Sequence, residues 1–580
     1  MIAARITDTL KGPDIFIGGT EDDVISATAS VVNGSTLVGG GGSNTLNLTS
    51  AGTFSVGGVK QFNPIILADG NNAVTVTNNT LSGGTVTIRA TGAGNTKIDA
   101  SGANASVGRT LIYVANAGTN QLTGGTENDI VYIAAAAVSA ATLTGGGGAN
   151  TLYITTPGTF SLGGVTQFTP IVMASGNNVV TVTNNTLAGG SVALKAGDTG
   201  DSTVDASGAD ASSGKVLVYR AGTGTENFKG GSELDLVYIN AEVLNTGTFV
   251  GGGGDNSLRL QNAGSFSLGG VSQFSTVTLV AGANTVTVTD KTIASATVTI
   301  NAADGSTNTI DATGATGSSG KTLRYVAGAG SDAFKGGAEN DLVFDTAKGL
   351  SSDIDILTGG GGTNTLFMKT AGTFSLAGVK EFNTINLATG VNVVTVPDYT
   401  LSGGTVAIQA KDVDSTTTIV ATGSAGKTLF YVTAGGVDTI IGGAENDIIF
   451  AGNGLGTYTT GTGTDTIKFL AASNSAFVAG TNAAGDDLVN GFAVGADKID
   501  LIAIALTQKS FIDKGVVAGF TDIDTAGYFG AFGVAAEYGV NNTARVFTDA
   551  NNNGNLDSGD MLVRFNGIAA HALTASSFQM

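Results

Sequence analysis

Gly18–Ser26 reads GGTEDDVIS, and the phrase returns as GGTENDIVY at Gly124, GGSELDLVY at Gly230, GGAENDLVF at Gly336 and GGAENDIIF at Gly442. Each copy begins 106 residues after the one before. A fixed period settles the architecture before any local motif does, so the chain reads as four modules joined by one recurring phrase. The joints are made of glycines and carboxylates, the materials of a hard-cation site.

Between joints the apolar runs are short: TLNL, TFSV, PIIL, AVTVT, TVTIR, TKIDA, TLIYV and DIVYI in the first module, with Gly, Asn, Asp and Ser between them. β-branched runs at that spacing predict an all-β chain. YIAAAAVSAA at Tyr132 is too short for a sustained helical period. Modules meet without a flexible linker, which favours an elongated parallel β-solenoid whose coils cover one another. A string of calcium-jointed β-sandwiches is the alternative. The fourth module gains two residues around Ser351–Ile356 and loses two near Asp412–Val420, length changes of the kind surface loops tolerate.

Composition removes several function classes. The net charge is −20 with no Lys/Arg cluster, which argues against nucleic acid and anionic membranes as partners. Glu supplies nine of the 46 acidic residues, so the acids are mainly aspartates, the better turn-formers. There is no cysteine, hence no disulfide and no thiolate zinc site. No apolar run approaches a membrane span, and the first residues lack the apolar stretch of a signal peptide. His571, the only histidine, sits nine residues from the end. Acids peculiar to one module, such as Asp198, Asp201, Asp412 and Asp414, fall in one variable loop, and no insertion breaks the repeat before residue 480. The expectation is a protein without catalytic activity.

A second order appears at the joints. Asp14 and Asp23 stand nine residues apart, as do Asn120 and Asp129, Glu226 and Asp235, Asp332 and Asp341, and Asp438 and Asp447; Asp465 follows eighteen later. A six-residue glycine turn followed by an apolar-x-apolar strand would stack carboxylates and glycine carbonyls around one point, a cage suited to Ca2+. Expected ligands are those acids and amides together with the glycine pairs Gly18 and Gly19, Gly124 and Gly125, Gly230 and Gly231, Gly336 and Gly337, and Gly442 and Gly443. The turns at Asp99, Asp205 and Asp311 are expected to be Asx-turns closed without metal.

This pattern resembles the RTX family, the hemolysin-type calcium-binding repeats, whose nonapeptide GGxGxDxUx forms a parallel β-roll. Glu127 stands where that family has glycine, while Asp129 and Ile130 match; GGGG turns such as Gly145 carry Asn44, Asn150, Asn256 and Asn364 at the aspartate position. The segment GDDLVNGFAVGADKIDLIAI, through Asp487, Phe492, Asp497, Lys498, Ile499 and Asp500, resembles the C-terminal β-rich domain of RTX proteases and lipases. That resemblance implies type I secretion. DANNNGNLDSGD reads either as a calcium loop through Asp549, Asn551, Asn553, Asp557 and Asp560 or as a polar hairpin tip.

The expected organisation is an N-terminal RTX-like cap (1–27), repeats at 28–133, 134–239, 240–345 and 346–451, RTX-like turns at 452–481 and a secretion-type domain at 482–580. The composition resembles bacterial RTX surface-layer proteins. It implies a secreted, calcium-binding structural protein at the cell surface, self-assembling into a lattice or filament, with the type I machinery and cell-surface polysaccharide as further partners. An RTX adhesin or biofilm-matrix protein is the alternative; against it, Phe54, Phe160, Phe266 and Phe374 recur as core residues would.

Overall fold

Parallel pairing of short strands is the rule throughout the computed structural model, which describes residues 5–211, 214–294, 297–401, 404–410, 415–424, 428–433, 435–477, 487–517 and 526–580. Residues 1–278 and 279–580 form two compact units, and about 22 solenoid coils make them up. Parallel strands cannot be joined by tight hairpins. Each strand instead pairs with its counterpart one coil later, which excludes the string of β-sandwiches.

In the first unit, Thr110–Val114 pairs with Asn128–Ile133 and Asn128–Ile133 with Thr151–Ile154, while Asn120–Thr123 lies in a separate sheet between Thr96–Asp99 and Thr142–Thr144. From Ile88 the register advances by 25, 18, 21, 19 and 23 residues, so five coils span one 106-residue period. The second unit shows steps of 25 and 18, then 23, 19 and 23. The third step is two longer, and the following step, Ile408 to Tyr431, is two shorter than its counterpart. These are the two length changes visible in the sequence. Asp412 and Asp414, and the expected domain start at Asn482, lie outside the described residues.

Side chains alternate along each strand, so one residue in two faces inward. Ile88, Tyr113, Val131, Leu152 and Ile171 form a continuous column in the first unit, each fully buried. In the second unit Ile300, Tyr325, Val343, Leu366, Ile385, Ile408 and Tyr431 form another. The recurring phenylalanines Phe54, Phe160, Phe266 and Phe374 are buried, as expected. The alanine run yields one helical turn, Ala135–Val138. Among the described residues no helix is long and apolar enough to cross a membrane.

The parallel ladders run on into Asp487–Asn490 and Lys498–Asp500. Beyond them Val534–Gly539, Thr543–Thr548 and Met561–Asn566 form an antiparallel meander, and Met561–Asn566 pairs with Asp487–Asn490. Phe578–Gln579 pairs with Lys498–Asp500. The C-terminal piece thus covers strand edges that would otherwise be open to another chain.

Replacing Leu152 by alanine should cost about 2–5 kcal/mol by urea denaturation, through lost transfer energy and a cavity the stacked coils cannot close. Its outward neighbour Thr151→Ala should change stability by no more than about 0.5 kcal/mol.

Candidate functional site

Nine residues are half a coil. Asn120 and Asp129 therefore head strands in different sheets, as do Glu226 and Asp235, Asp332 and Asp341, and Asp438 and Asp447. The residues nine apart do not share one cage; the true neighbours are a full coil away.

The partners on the first-named side form polar ladders. Asn120 accepts from the Tyr113 hydroxyl at 2.5 Å and donates to the carbonyls of Asn116 and Gly118 at 3.0 and 2.7 Å. Glu226 accepts from the Tyr219 hydroxyl, and burial pushes it up to about 7. Asp332 accepts from the Asn308 amide N–H, the Asn308 side chain and the Gly328 amide at 3.0, 2.8 and 2.9 Å. Asp438 accepts from the Thr417 amide at 3.1 Å. Asp14 is exposed at the first joint.

The second-named aspartates are different. Asp129, Asp235 and Asp341 are fully buried, and neither carboxylate oxygen of any of them has a hydrogen-bond partner. Asp23, Asp447 and Asp465 each have one such oxygen. The main-chain amide of each joint aspartate donates to the residue one coil on: Asp129 to Asn150 Oδ1 at 2.9 Å, Asp235 to Asn256 at 2.9 Å, Asp341 to Asn364 at 3.0 Å and Asp447 to Asp465 at 2.8 Å. Asp465 in turn donates to Asp497 at 2.9 Å, so the resemblance-bearing Asp497 is the last rung of this ladder. Asn150 is fully used: its Nδ2 donates to the carbonyls of Gly147 and Gln167.

Glycine is required beside these carboxylates. A Cβ on Gly124 would run into Asp129 Oδ2 and the Gly145 carbonyl of the next coil, and Gly18, Gly230, Gly336 and Gly442 stand in the same position. The second glycines accept the next coil's amides: Gly41 to Gly19, Gly147 to Gly125, Gly253 to Gly231 and Gly361 to Gly337 at 2.7 Å, and Thr462 to Gly443 at 2.8 Å. Each joint therefore presents unpartnered carboxylate oxygen among backbone carbonyls.

Sequence reading passed over one residue type here. Glu127, noted only as a departure from a glycine consensus, and its counterparts Glu233, Glu339 and Glu445 are buried within the joints, each with an unpartnered Oε2. Burial first, then the repulsion of Glu127, pushes Asp129 up to about 8; Asp235 and Asp341 reach about 9 and Asp447 about 8 for the corresponding reasons. Asp465 rises to about 7, chiefly by burial. A buried carboxylate without a partner is expensive, so each joint calls for a proton or a cation. Among the described residues no three Asp, Glu or His side chains converge, so a bound ion would draw its remaining ligands from carbonyls. That donor set, carboxylate and several carbonyl oxygens, fits calcium.

The acids of the Asx-turns and of the 549–560 loop accept hydrogen bonds. At the expected Asx-turn, Asp99 Oδ1 accepts from the Ser101 amide at 3.1 Å and hydroxyl at 2.6 Å; Asp205 and Asp311 repeat this. The 549–560 loop joins two antiparallel strands. Asp549 accepts from the amides of Asn553 and Gly554, Asp557 from the side chains of Asn551 and Asn553, and Asp560 from the amides of Ala550 and Asp557. The two-residue gain in the fourth module is more than a loop extension. It turns out Ile354, 72% exposed, but buries Asp355 beside Asp345, which replaces the isoleucine of Ile133 and Ile239 in the core.

No protein-family model and no curated protein matches the chain.

Two outcomes follow from this geometry. Gly124→Ala should unfold its joint, seen as a loss of secondary structure by circular dichroism, whereas Gly102→Ala, with nothing within 4 Å of the added carbon, should be silent. In chelator, the folded chain holds protons on Asp129, Asp235, Asp341 and Asp447 up to pH 8–9, while the unfolded chain releases them near the ordinary 3.8. Protons would stand in for the ion at pH 5, so in chelator the folded fraction read by circular dichroism should fall as pH rises from 5 to 9.

Proposed function

We propose that the protein is a secreted structural protein that folds on calcium outside the cell and assembles into a surface layer or extracellular lattice. The observation that carries the reading is the unpartnered, fully buried carboxylate repeated at Asp129, Asp235 and Asp341. In this reading Asp23, Asp129, Asp235, Asp341, Asp447 and Asp465 hold calcium with carbonyls of the flanking glycine turns. The ion neutralises the carboxylates, and since the site does not exist in the unfolded chain, binding energy becomes folding energy. A low-calcium interior would leave the chain unfolded and competent for one-step export, in keeping with the resemblance at Asp487–Asp500. The repetition of coils within each unit suits assembly rather than catalysis.

One observation favours the adhesive alternative. Outward-facing, half-buried rings are stacked within each unit: Tyr132 on Tyr153 at 4.9 Å and Arg220 over Tyr238 at 4.4 Å in the first, Arg324 over Phe344 at 4.3 Å in the second. Such stacked rings could take a polysaccharide.

Electron microscopy of the full chain decides between them. Ordered sheets or fibres with calcium that disperse in chelator support assembly; dispersed particles that bind glycan in both conditions support adhesion. A circular-dichroism spectrum identical with calcium and with chelator would sink the calcium reading itself.

A further inference from the structure

Each joint is sandwiched between two turns, and its aspartate and glutamate lie against different neighbouring carbonyls. Asp129 turns toward the following coil: a Cβ on Gly124 would meet both its Oδ2 and the Gly145 carbonyl. Glu127 turns toward the preceding one. A Cβ on Gly125 would lie 2.5 Å from the Ala100 carbonyl, 2.6 Å from Glu127 Oε2 and 2.8 Å from the Ala103 carbonyl, so three oxygens from two coils crowd around one point. The two carbonyls belong to the Asx-turn that begins at Asp99, a turn with no free carboxylate of its own.

Glu127 is fully buried and held in place by one oxygen only. The Gly125 amide donates to its Oε1 at 3.3 Å, while Oε2 has no partner. The Glu127 carboxylate and the two carbonyls all present oxygen to this point, and what faces them there is the Cα–H of Gly125, a weak donor. The arrangement is a repeated device. Around Gly231 the corresponding distances are 2.6 Å to the Ala206 carbonyl, 2.6 Å to Glu233 Oε2 and 2.8 Å to the Ala209 carbonyl. Around Gly337, Glu339 Oε2 lies at 2.6 Å and the Ala315 carbonyl at 2.9 Å. Around Gly443 a hydroxyl, Ser424 Oγ, joins Glu445 and the Ala421 carbonyl. Glu233, Glu339 and Glu445 share the unpartnered Oε2.

We propose that Glu127, Glu233, Glu339 and Glu445 each hold a second hard divalent cation, in the slot between the joint and the Asx-turn before it, separate from the ion held by the joint aspartate. Glutamate suits this slot because its extra methylene reaches back across the glycine pair, where aspartate would stop short. Each joint then ties three successive turns rather than two. The inference rests on the calcium reading of the joints but adds four ions to it.

Native mass spectrometry of the full chain in calcium counts the ions. The quadruple variant E127Q/E233Q/E339Q/E445Q should bind four fewer than the unaltered chain and still bind those that D129N/D235N/D341N/D447N loses. If the quadruple variant does not fold, E233Q alone should lose one. An unchanged count in E233Q overturns the second site and makes Glu233 a protonated donor to the Ala206 carbonyl, a role glutamine can fill. Loss of the same ions by the glutamate and aspartate variants also overturns it, since one shared site would then serve both. No calcium on the unaltered chain would instead sink the calcium reading itself.

Discussion

Asp129, Asp235 and Asp341 carry carboxylates into a coil interior that offers them no hydrogen-bond donor, and the rest of the molecule is arranged around that cost. Gly124 and its counterparts have no side chain because those oxygens and the next coil's carbonyl occupy the space. Asn150, Asn256 and Asn364 fix the next turn by accepting the aspartate's main-chain N–H. The glutamate two residues earlier adds a second negative group instead of relieving the first. Such a cluster is unfavourable unless a cation or protons neutralise it, and it recurs once per module.

Between joints the coils are held by ordinary means. Inward columns such as Tyr113, Val131 and Leu152 exclude water, and parallel ladders satisfy the backbone. Some polar residues inside these coils pair with one another, as in the run Asn284 Nδ2 to Asn308 Oδ1 and Asn308 Nδ2 to Asp332 Oδ1. A solenoid's stability is a sum over neighbouring coils, so a strained joint weakens the modules on either side of it. Coupling to an external ion at five regular places would let the whole array respond together.

Much of this was legible in the chain. The 106-residue period, the β class and the two compensating length changes follow from spacing alone, because a coil advances the sequence by a set number of residues and insertions must fall in turns. The closed Asx-turns at Asp99 and its counterparts were legible for the same local reason. Motif spacing misled where it was read without the coil. Residues nine apart looked like one clamp, yet half a coil carries Asn120 and Asp129 into different sheets. Glu127 looked like a defect in a glycine consensus; only burial distinguishes an inward carboxylate from a solvated one. Asp355 lay hidden in what reads as a surface extension, and Asp345 in the strand before it.

Peptide-resolved hydrogen–deuterium exchange of the full chain, with calcium and with chelator, addresses the central claim most directly. The account predicts that calcium protects the amides that cross each joint, such as Gly147 to the Gly125 carbonyl and Gly253 to the Gly231 carbonyl. Protection should spread from the joints into the coils between them. Equal exchange at these amides in both conditions would contradict it.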